Sequence, residues 1–302
     1  MSIDGILNVR KPVGSSSFSV VRQARRWTGQ RRVGHGGTLD PLASGVLLLL
    51  LGHATRFAEF LGGHHKSYRG EIALGVSTTT YDAEGEVLQW RHVPPLTEDE
   101  VRDCLKGFLG EIQQVPPSFS ALHYQGRRSY QWAREGRPVP ARPRTVHIFR
   151  LELVAWRPPV LEIGVECSRG TYIRSLAHDV GECLGCGGHL QNLVRTQDGP
   201  FTLEGAVTLE QLQAAVEHGT WTQLVHPVDG ILAAFPAITL DEAAERAFLQ
   251  GQALPADLEP AGFTSDTPWW RAYNRQGRFL GLLQIEPSQG KLLPRKVLSQ
   301  GR

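Results

Sequence analysis

Lysine is scarce in this 302-residue sequence, and nearly all of its positive charge is arginine. Arginine's planar fork suits bidentate contact with phosphate better than an ammonium does. Lys+Arg 32 against Asp+Glu 30 leaves a net charge of only +2, so only local charge clusters can select a partner. Cysteine is sparse too. Cys104, Cys167, Cys183 and Cys186 are too few for a secreted disulfide framework. Cys183 and Cys186 form a CxxC with His189 three residues on, but a structural zinc site needs four ligands and no second CxxC exists. They read as small buried residues near a helix end. No apolar run approaches the roughly 20 residues that span a bilayer, since the run at 46–51 stops at Gly52. Met1-Ser2-Ile3-Asp4-Gly5 has neither a basic region nor an apolar signal core, so a cytoplasmic protein without membrane association is expected. Internal repeats and low-complexity tails are absent.

What is present is organised around Gly34-His35-Gly36-Gly37-Thr38-Leu39-Asp40-Pro41-Leu42-Ala43-Ser44-Gly45, which runs into the apolar stretch 46–51. Glycine permits positive φ and close backbone approach. Pro41 fixes its own φ and pushes Asp40 towards an extended backbone. The short uncharged run reads as a strand buried on both faces. An Asp held at the mouth of such a strand is a rigidly presented reactive oxygen. Asp-Pro among glycines is also ordinary turn chemistry. Length and composition, 41% hydrophobic and 21% charged, fit a soluble globular protein with one large domain, or one large and one small.

Taken in order, residues 5–9 read as a strand. Ser15 or Ser16 caps a helix to about Trp27, with Phe18, Val21, Ala24 and Trp27 on one face. Arg22, Arg25, Arg26, Arg31 and Arg32 put a positive surface beside the Asp40 loop, which favours a polyanion. Thr55 caps a short helix to Leu61, residues 66–75 form a strand, and residues 86–90 pair in a hairpin. Thr97-x-x-Glu100 and Thr208-x-x-Gln211 are capping boxes. A second arginine-rich stretch, from Arg127 through Arg134 to Arg144, is interleaved with Tyr124, Tyr130 and Trp132, which suits single-stranded or looped RNA. Strands at 146–156 and 160–167 are antiparallel neighbours. Ser168-Arg169-Gly170-Thr171-Tyr172-Ile173-Arg174 is a strand-to-helix turn, and Arg174, if buried, needs an acidic partner. A strand at 190–196 follows. Residues 227–236 read as a linker into a small β-rich domain, giving domains 1–232 and 233–302.

The loop motif resembles the catalytic signature of the TruB family of pseudouridine synthases, which make pseudouridine-55 in the tRNA T loop. The N-terminal Leu7-Asn8-Val9-Arg10-Lys11-Pro12-Val13-Gly14, the pair Lys66-Ser67-Tyr68 and Tyr81-Asp82-Ala83-Glu84-Gly85, Gln114-Val115-Pro116-Pro117 and the Arg174 turn resemble further family segments, in family order. One departure is His123, where the family commonly has lysine. The resemblance implies an α+β fold: a mixed, mainly antiparallel sheet flanked by helices, plus a C-terminal PUA-like RNA-binding domain.

It also implies site residues. Asp40 is the catalytic carboxylate, Arg174 its ion-pair partner, and Tyr68 an aromatic stacked on the target base that also aids proton removal. His35 enters the space left by the flipped base, and Leu193 walls off water. Lys11, Gly37, Thr38 and Tyr172 complete the substrate contacts. Isomerising uridine breaks the N1–C1′ bond and rejoins the base through C5, which demands neither cofactor nor metal. The expected partner is the T stem-loop of tRNA, with the protein acting as a monomer and needing no protein partner. Two other readings stand beside this one: a glycosidic hydrolase pairing Asp40 with Asp82, and a non-catalytic RNA-binding protein.

Overall fold

The computed structural model describes residues 3–119, 123–124, 126–129, 132, 135–137, 139, 142–255, 268–286 and 291–298. Strand β1 (Gly5–Lys11) leads into helix α1 (Ser17–Thr28), whose start is fixed by the Ser16 hydroxyl accepting the Ser19 amide at 3.1 Å. Helix α1 buries Ser17, Val20, Val21 and Ala24. Phe18, expected on that face, is 64% exposed, because one residue beyond Ser17 turns a helix by about 100°.

Strands β2 (Val33–His35) and β3 (Ala43–Leu51) flank the Asp40 loop, and a 3₁₀ segment (Gly52–Gly63) follows. Thr55 does not cap that segment; its hydroxyl donates to the Gly52 carbonyl inside the first turn. Then come β4 (Lys66–Leu74), the hairpin β5 (Val76–Thr78) and β6 (Val87–Trp90), and α2 (Glu98–Lys106), opened by the Thr97–Glu100 capping box. Strand β7 (Gly110–Gln114) and the short pair β8 (His123–Tyr124) and β9 (Arg127–Arg128) precede the long hairpin β10 (Arg144–Arg157) and β11 (Val160–Cys167). Helix α3 (Ile173–Cys183), β12 (Gly188–Asp198), β13 (Phe201–Thr202), α4 (Leu209–Glu217) and β14 (Val225–His226) complete the first part.

The large sheet runs β14-β1-β3-β12-β4-β11-β10-β7, with β2 beside β3 and β13 beside β12. Its described strand pairs are antiparallel except β3 with β12. Alternate residues of β3 explain its unbroken apolar run. Leu47, Leu49 and Leu51 enter the core under α1, while Val46, Leu48 and Leu50 enter a second core on the other face. Full burial of a leucine side chain stabilises by about 1.5–3 kcal/mol before cavity terms, so neither face tolerates a polar residue.

At the start of β3, Gly45 has φ +105°, and a Cβ built there would lie 2.2 Å from the Arg195 carbonyl oxygen of β12. Gly45→Ala is therefore expected to combine backbone strain and overpacking, about 2–5 kcal/mol together. A urea melt reads this directly; a midpoint unchanged from wild type would refute the close approach.

The second sheet, β15 (Ala237–Leu240), β16 (Leu254–Pro255), β17 (Trp269–Asn274), β18 (Phe279–Glu286) and β19 (Lys291–Val297), has the order β15-β17-β18-β19-β16, with α5 (Glu242–Leu249) beside it. Residues 227–236, read from the sequence as a linker or entry loop, are packed against both sheets. Val228, Ile231 and Leu232 are buried in the second core with Phe57, Phe279 and Leu282, and Phe60 packs edge-on against Trp269 at 5.1 Å. The two sheets share apolar material.

Cys183 is also not an isolated small residue: it is paired with Cys104 of α2 in a disulfide, while Cys186 is buried and free. Of the second arginine stretch, Tyr130 and Arg134 lie outside the described residues, as do the side chains of His123 and Tyr124. Arg127 pairs with Glu135 and covers the Trp132 ring at 4.8 Å. Among the described residues, no helix is long and apolar enough to cross a membrane.

Candidate active site

Asp40 stands on a loop tied down on nearly every side. The Ser17 hydroxyl accepts the Leu39 amide at 2.8 Å and donates to the Leu39 carbonyl at 2.9 Å. The Pro41 carbonyl receives the Gly14 amide at 2.8 Å and the Lys11 ammonium at 3.4 Å. The Asp40 carbonyl itself accepts the Ala43 amide at 3.1 Å, closing a turn around Pro41. These bonds fix the direction of the Asp40 side chain before any ligand arrives, and that preorganisation is what a reacting group needs.

The carboxylate points into a cavity of about 440 Å³, within the roughly 300–1,000 Å³ usual for small-molecule sites. Tyr68 of β4, Leu193 of β12, Arg174 of α3, and Gly37, Thr38 and Tyr172 line the same cavity. Residues far apart in sequence converge because β12 lies between β3 and β4, with Leu193 opposite both Ala43 and Gly70.

Arg174, with 6% of its side chain exposed, finds the acidic partners that burial requires. Its Nε is 2.9 Å from Asp40 Oδ2, and Nη1 is 3.4 Å from Asp82 Oδ2. Nη1 also donates to the Thr80 carbonyl at 3.2 Å, and Nη2 to the Phe119 carbonyl at 2.9 Å. Asp82 is locked in turn: Oδ1 accepts the Thr80 hydroxyl and, at 3.0 Å, the Glu84 amide. The turn into α3 is held by Gln114, whose side chain accepts the Tyr172 amide at 2.7 Å and donates to the Tyr172 carbonyl at 3.0 Å.

Burial among protein atoms raises the Asp40 carboxyl above its usual value, and the Arg174 charge opposes that rise while Asp82 adds to it. Without the guanidinium the cavity would favour a neutral acid. Tyr68 is buried, and its phenol is pushed up to about 12 by desolvation, against the facing Arg195 charge. It is therefore protonated at neutral pH, so its ring and its O–H, not a phenolate, are what the cavity presents.

Two of the expected site residues do not line the cavity. His35 ends β2, half-buried and opposite Leu49, outside the residues lining the cavity. Lys11 is fully buried, and its ammonium donates to the carbonyls of Pro12 at 2.9 Å, Ser15 at 2.6 Å and Pro41 at 3.4 Å. It braces the loop and does not face a substrate. Burial pulls it down to about 8. Asp82, the second carboxylate of the hydrolase reading, is buried, paired with Arg174 and outside the residues lining the cavity. The arginines 22, 25, 26, 31 and 32 are all exposed.

The cavity also holds Lys66 and Arg195, and Arg195 is not among the residues expected there from the sequence. A signal existed: Leu193 and Arg195 share a strand face by the two-residue period, so an arginine stands where the pattern demands an apolar residue.

Residues 25–173 match the TruB family pseudouridylate synthase (N terminal domain), residues 174–233 the tRNA pseudouridylate synthase B C-terminal domain, and residues 236–298 the Pseudouridine synthase II TruB, C-terminal, family. The chain is 42% identical over 298 residues to the tRNA pseudouridine synthase B of Thiobacillus denitrificans, spanning 99% of this chain and 97% of that one. It is 44% identical over 301 residues to the tRNA pseudouridine synthase B of Burkholderia mallei, spanning 99% and 98%. A chain in the crystal structure of the archaeal box H/ACA sRNP Nop10-Cbf5 complex has a similar fold, with TM-score 0.72, 26% identity, and coverage of 97% of this chain and 85% of that one.

Proposed function

We propose that this chain, which belongs to the TruB family of pseudouridylate synthases and isomerises uridine to pseudouridine in tRNA, acts at position 55 of the T loop with Asp40 as its catalytic carboxylate. The observation that carries the reading is the Asp40–Arg174 ion pair of 2.9 Å, set in a cavity that also holds the Tyr68 ring.

The target uridine leaves its stack and enters the cavity, which costs a few kcal/mol of unstacking. The Tyr68 ring takes over the stacking, and Leu193 keeps water from the opened glycosidic bond. His35, at the edge of the loop, fills the space the base has left in the RNA. Gly37, Thr38 and Tyr172 shape the remaining contacts. The charged form of Asp40 assists rupture of the N1–C1′ bond, as nucleophile or as counter-charge to a developing cation. The base turns and rejoins C1′ through C5; the C5 proton leaves and N1 gains one, so atoms and charge balance. With its phenol protonated, Tyr68 contributes stacking and orientation first, and any part in removing the C5 proton requires its own proton to move as well.

Exposed arginines 22, 25, 26, 31 and 32 beside the loop supply the phosphate contacts. Residues 1–232 form the catalytic domain and 233–302 a PUA-like RNA-binding domain. The protein works in the cytoplasm as a monomer.

The test incubates the purified protein with an unmodified tRNA transcript and with a T-loop hairpin, then maps pseudouridine by carbodiimide-stop sequencing. Pseudouridine at the T-loop site is expected in both. Modification at another tRNA site only would overturn the site assignment. Free uracil would make the protein a hydrolase, and tight RNA binding with no modification would leave only a binding role.

A further inference from the structure

Beneath the Asp40 loop lies a charged cluster that the reaction above does not use. Asp198 is fully buried; its Oδ1 is 2.8 Å from the Lys66 ammonium and its Oδ2 is 3.8 Å from Arg195 Nε. Arg195 is 1% exposed. In a regular strand Arg195 and Asp198, three residues apart, would point to opposite faces. A register shift between Arg195 and Gln197 inserts one extra residue against β4 and returns Asp198 to the face of Arg195.

The guanidinium works beyond this ion pair. Its Nε donates to the Val46 carbonyl at 2.7 Å, and Nη2 to the Gly37 carbonyl at 3.2 Å. Those two peptides bracket Asp40, one before it and one after. The backbone of Arg195 pairs with Gly45 on one side and with Tyr68 on the other. A Cβ placed on Gly37 would sit 3.4 Å from Arg195 Nη1, so the loop rests directly on this side chain. We propose that Arg195 is a positioning residue of the isomerisation: one fully buried guanidinium holds both ends of the Asp40 loop in register with the Tyr68 ring.

The proposal rests on the reading of Asp40 and Tyr68 as the reacting pair. Arginine suits this position because donors on two separate nitrogens, Nε and Nη2, each meet one carbonyl in a fixed planar geometry, whereas the donors of lysine all radiate from one nitrogen on a shorter side chain. Asp198, itself paired with Lys66, stands beside that fork as its counter-charge. Arg195 lies in the cavity wall with only 1% of its surface exposed, so its loss is expected to misplace Asp40 and to leave RNA binding intact.

The test compares wild type, Asp40→Asn, Arg195→Lys and Arg195→Met in single-turnover pseudouridine formation on a tRNA transcript, with tRNA affinity, thermal melting and amide hydrogen exchange alongside. Arg195→Lys keeps a charge beside Asp198. It is expected to lower the first-order rate about 10²-fold, the scale of a displacement near 1 Å, with tRNA affinity within about 2-fold of wild type. Exchange is expected to quicken in the peptide covering 36–46 and not in β1. Arg195→Met is expected to be slower still.

A wild-type rate in Arg195→Lys overturns the proposal. So does a slower rate without faster exchange at 36–46, and so does weakened tRNA binding, which would make Arg195 a substrate contact. Arg195→Lys unfolded at the assay temperature overturns it too, because the residue then serves the fold and not the loop. Failure of the underlying reading looks different: wild type without pseudouridine, or Asp40→Asn with full activity.

Discussion

Asp40→Asn is expected to make no measurable pseudouridine, its single-turnover rate falling by about four orders of magnitude or more, while the tRNA still binds within a few-fold of wild type. Losses of that size follow removal of a central side chain from a catalytic unit. Asparagine keeps the shape, so the Ser17 and Gly14 bonds that hold the loop survive; what goes is the negative charge. The melting temperature is expected to hold or rise. The folded carboxyl is raised above 3.8, so its contribution to stability is full below the unfolded value and is lost as pH rises through the folded value. Where the group is ionised it therefore costs stability, and the amide removes that cost. Arg174 retains Asp82 as a partner. Single-turnover kinetics with a thermal melt checks both halves, and a variant that loses activity only because it unfolds would remove Asp40 from the chemistry.

Arg174→Met has the second large effect, and it acts on stability, rate and pH together. It strips a buried cation from Asp82, whose side chain is 3% exposed, and orphans the Thr80 and Phe119 carbonyls. Breaking a buried pair from one side costs about 3–5 kcal/mol. The rate is expected to fall about 10²–10³-fold through lost orientation of Asp40. The pH dependence separates this from simple damage. Because the Arg174 charge lowers a carboxyl that burial raises, its removal leaves Asp40 protonated to higher pH, and the acid limb of the rate profile moves up. Adding Asp82→Asn should recover stability without recovering rate. Rate profiles over roughly pH 4–8 for both variants decide it; an acid limb that stays in place would show that Arg174 does not hold the Asp40 charge.

Sequence made legible what depends on neighbours along the chain. The Asp-Pro turn among glycines, the doubly buried β3 and the caps at Ser16, Thr97 and Thr208 follow from local stereochemistry, whereas the cap expected at Thr55 does not form. Arg174 was readable as a cation needing an acid because it sits among Ile173, Leu176 and Ala177 on a buried helix face. Lys11 was misread for a physical reason: nothing in the spacing says whether an ammonium reaches water or three carbonyls, and the carbonyls at Ser15 and Pro41 come from a turn and a distant loop. Phe18 was misplaced because its face depends on which serine caps α1. Arg195 stayed hidden because its role needs the β3–β12 pairing and the shifted register beside β4, neither of which is written locally.

That parallel pairing of β3 with β12 also sets when the enzyme comes into being. At about 5–20 residues per second of synthesis, β3 emerges roughly 7–30 seconds before β12 exists to join it. Until then β3 has β1 along one edge and on the other only β2, beside Leu49 to Leu51, and the pairing of β1 with β14, through Ile6 and His226, comes later still. The nascent chain thus carries two exposed apolar faces and an incomplete cavity through most of translation. Distant pairings of this kind fold slowly. The cavity closes only when nearly the whole first part has been made, so a prematurely terminated chain carries Asp40 and Tyr68 but has no site in which to use them.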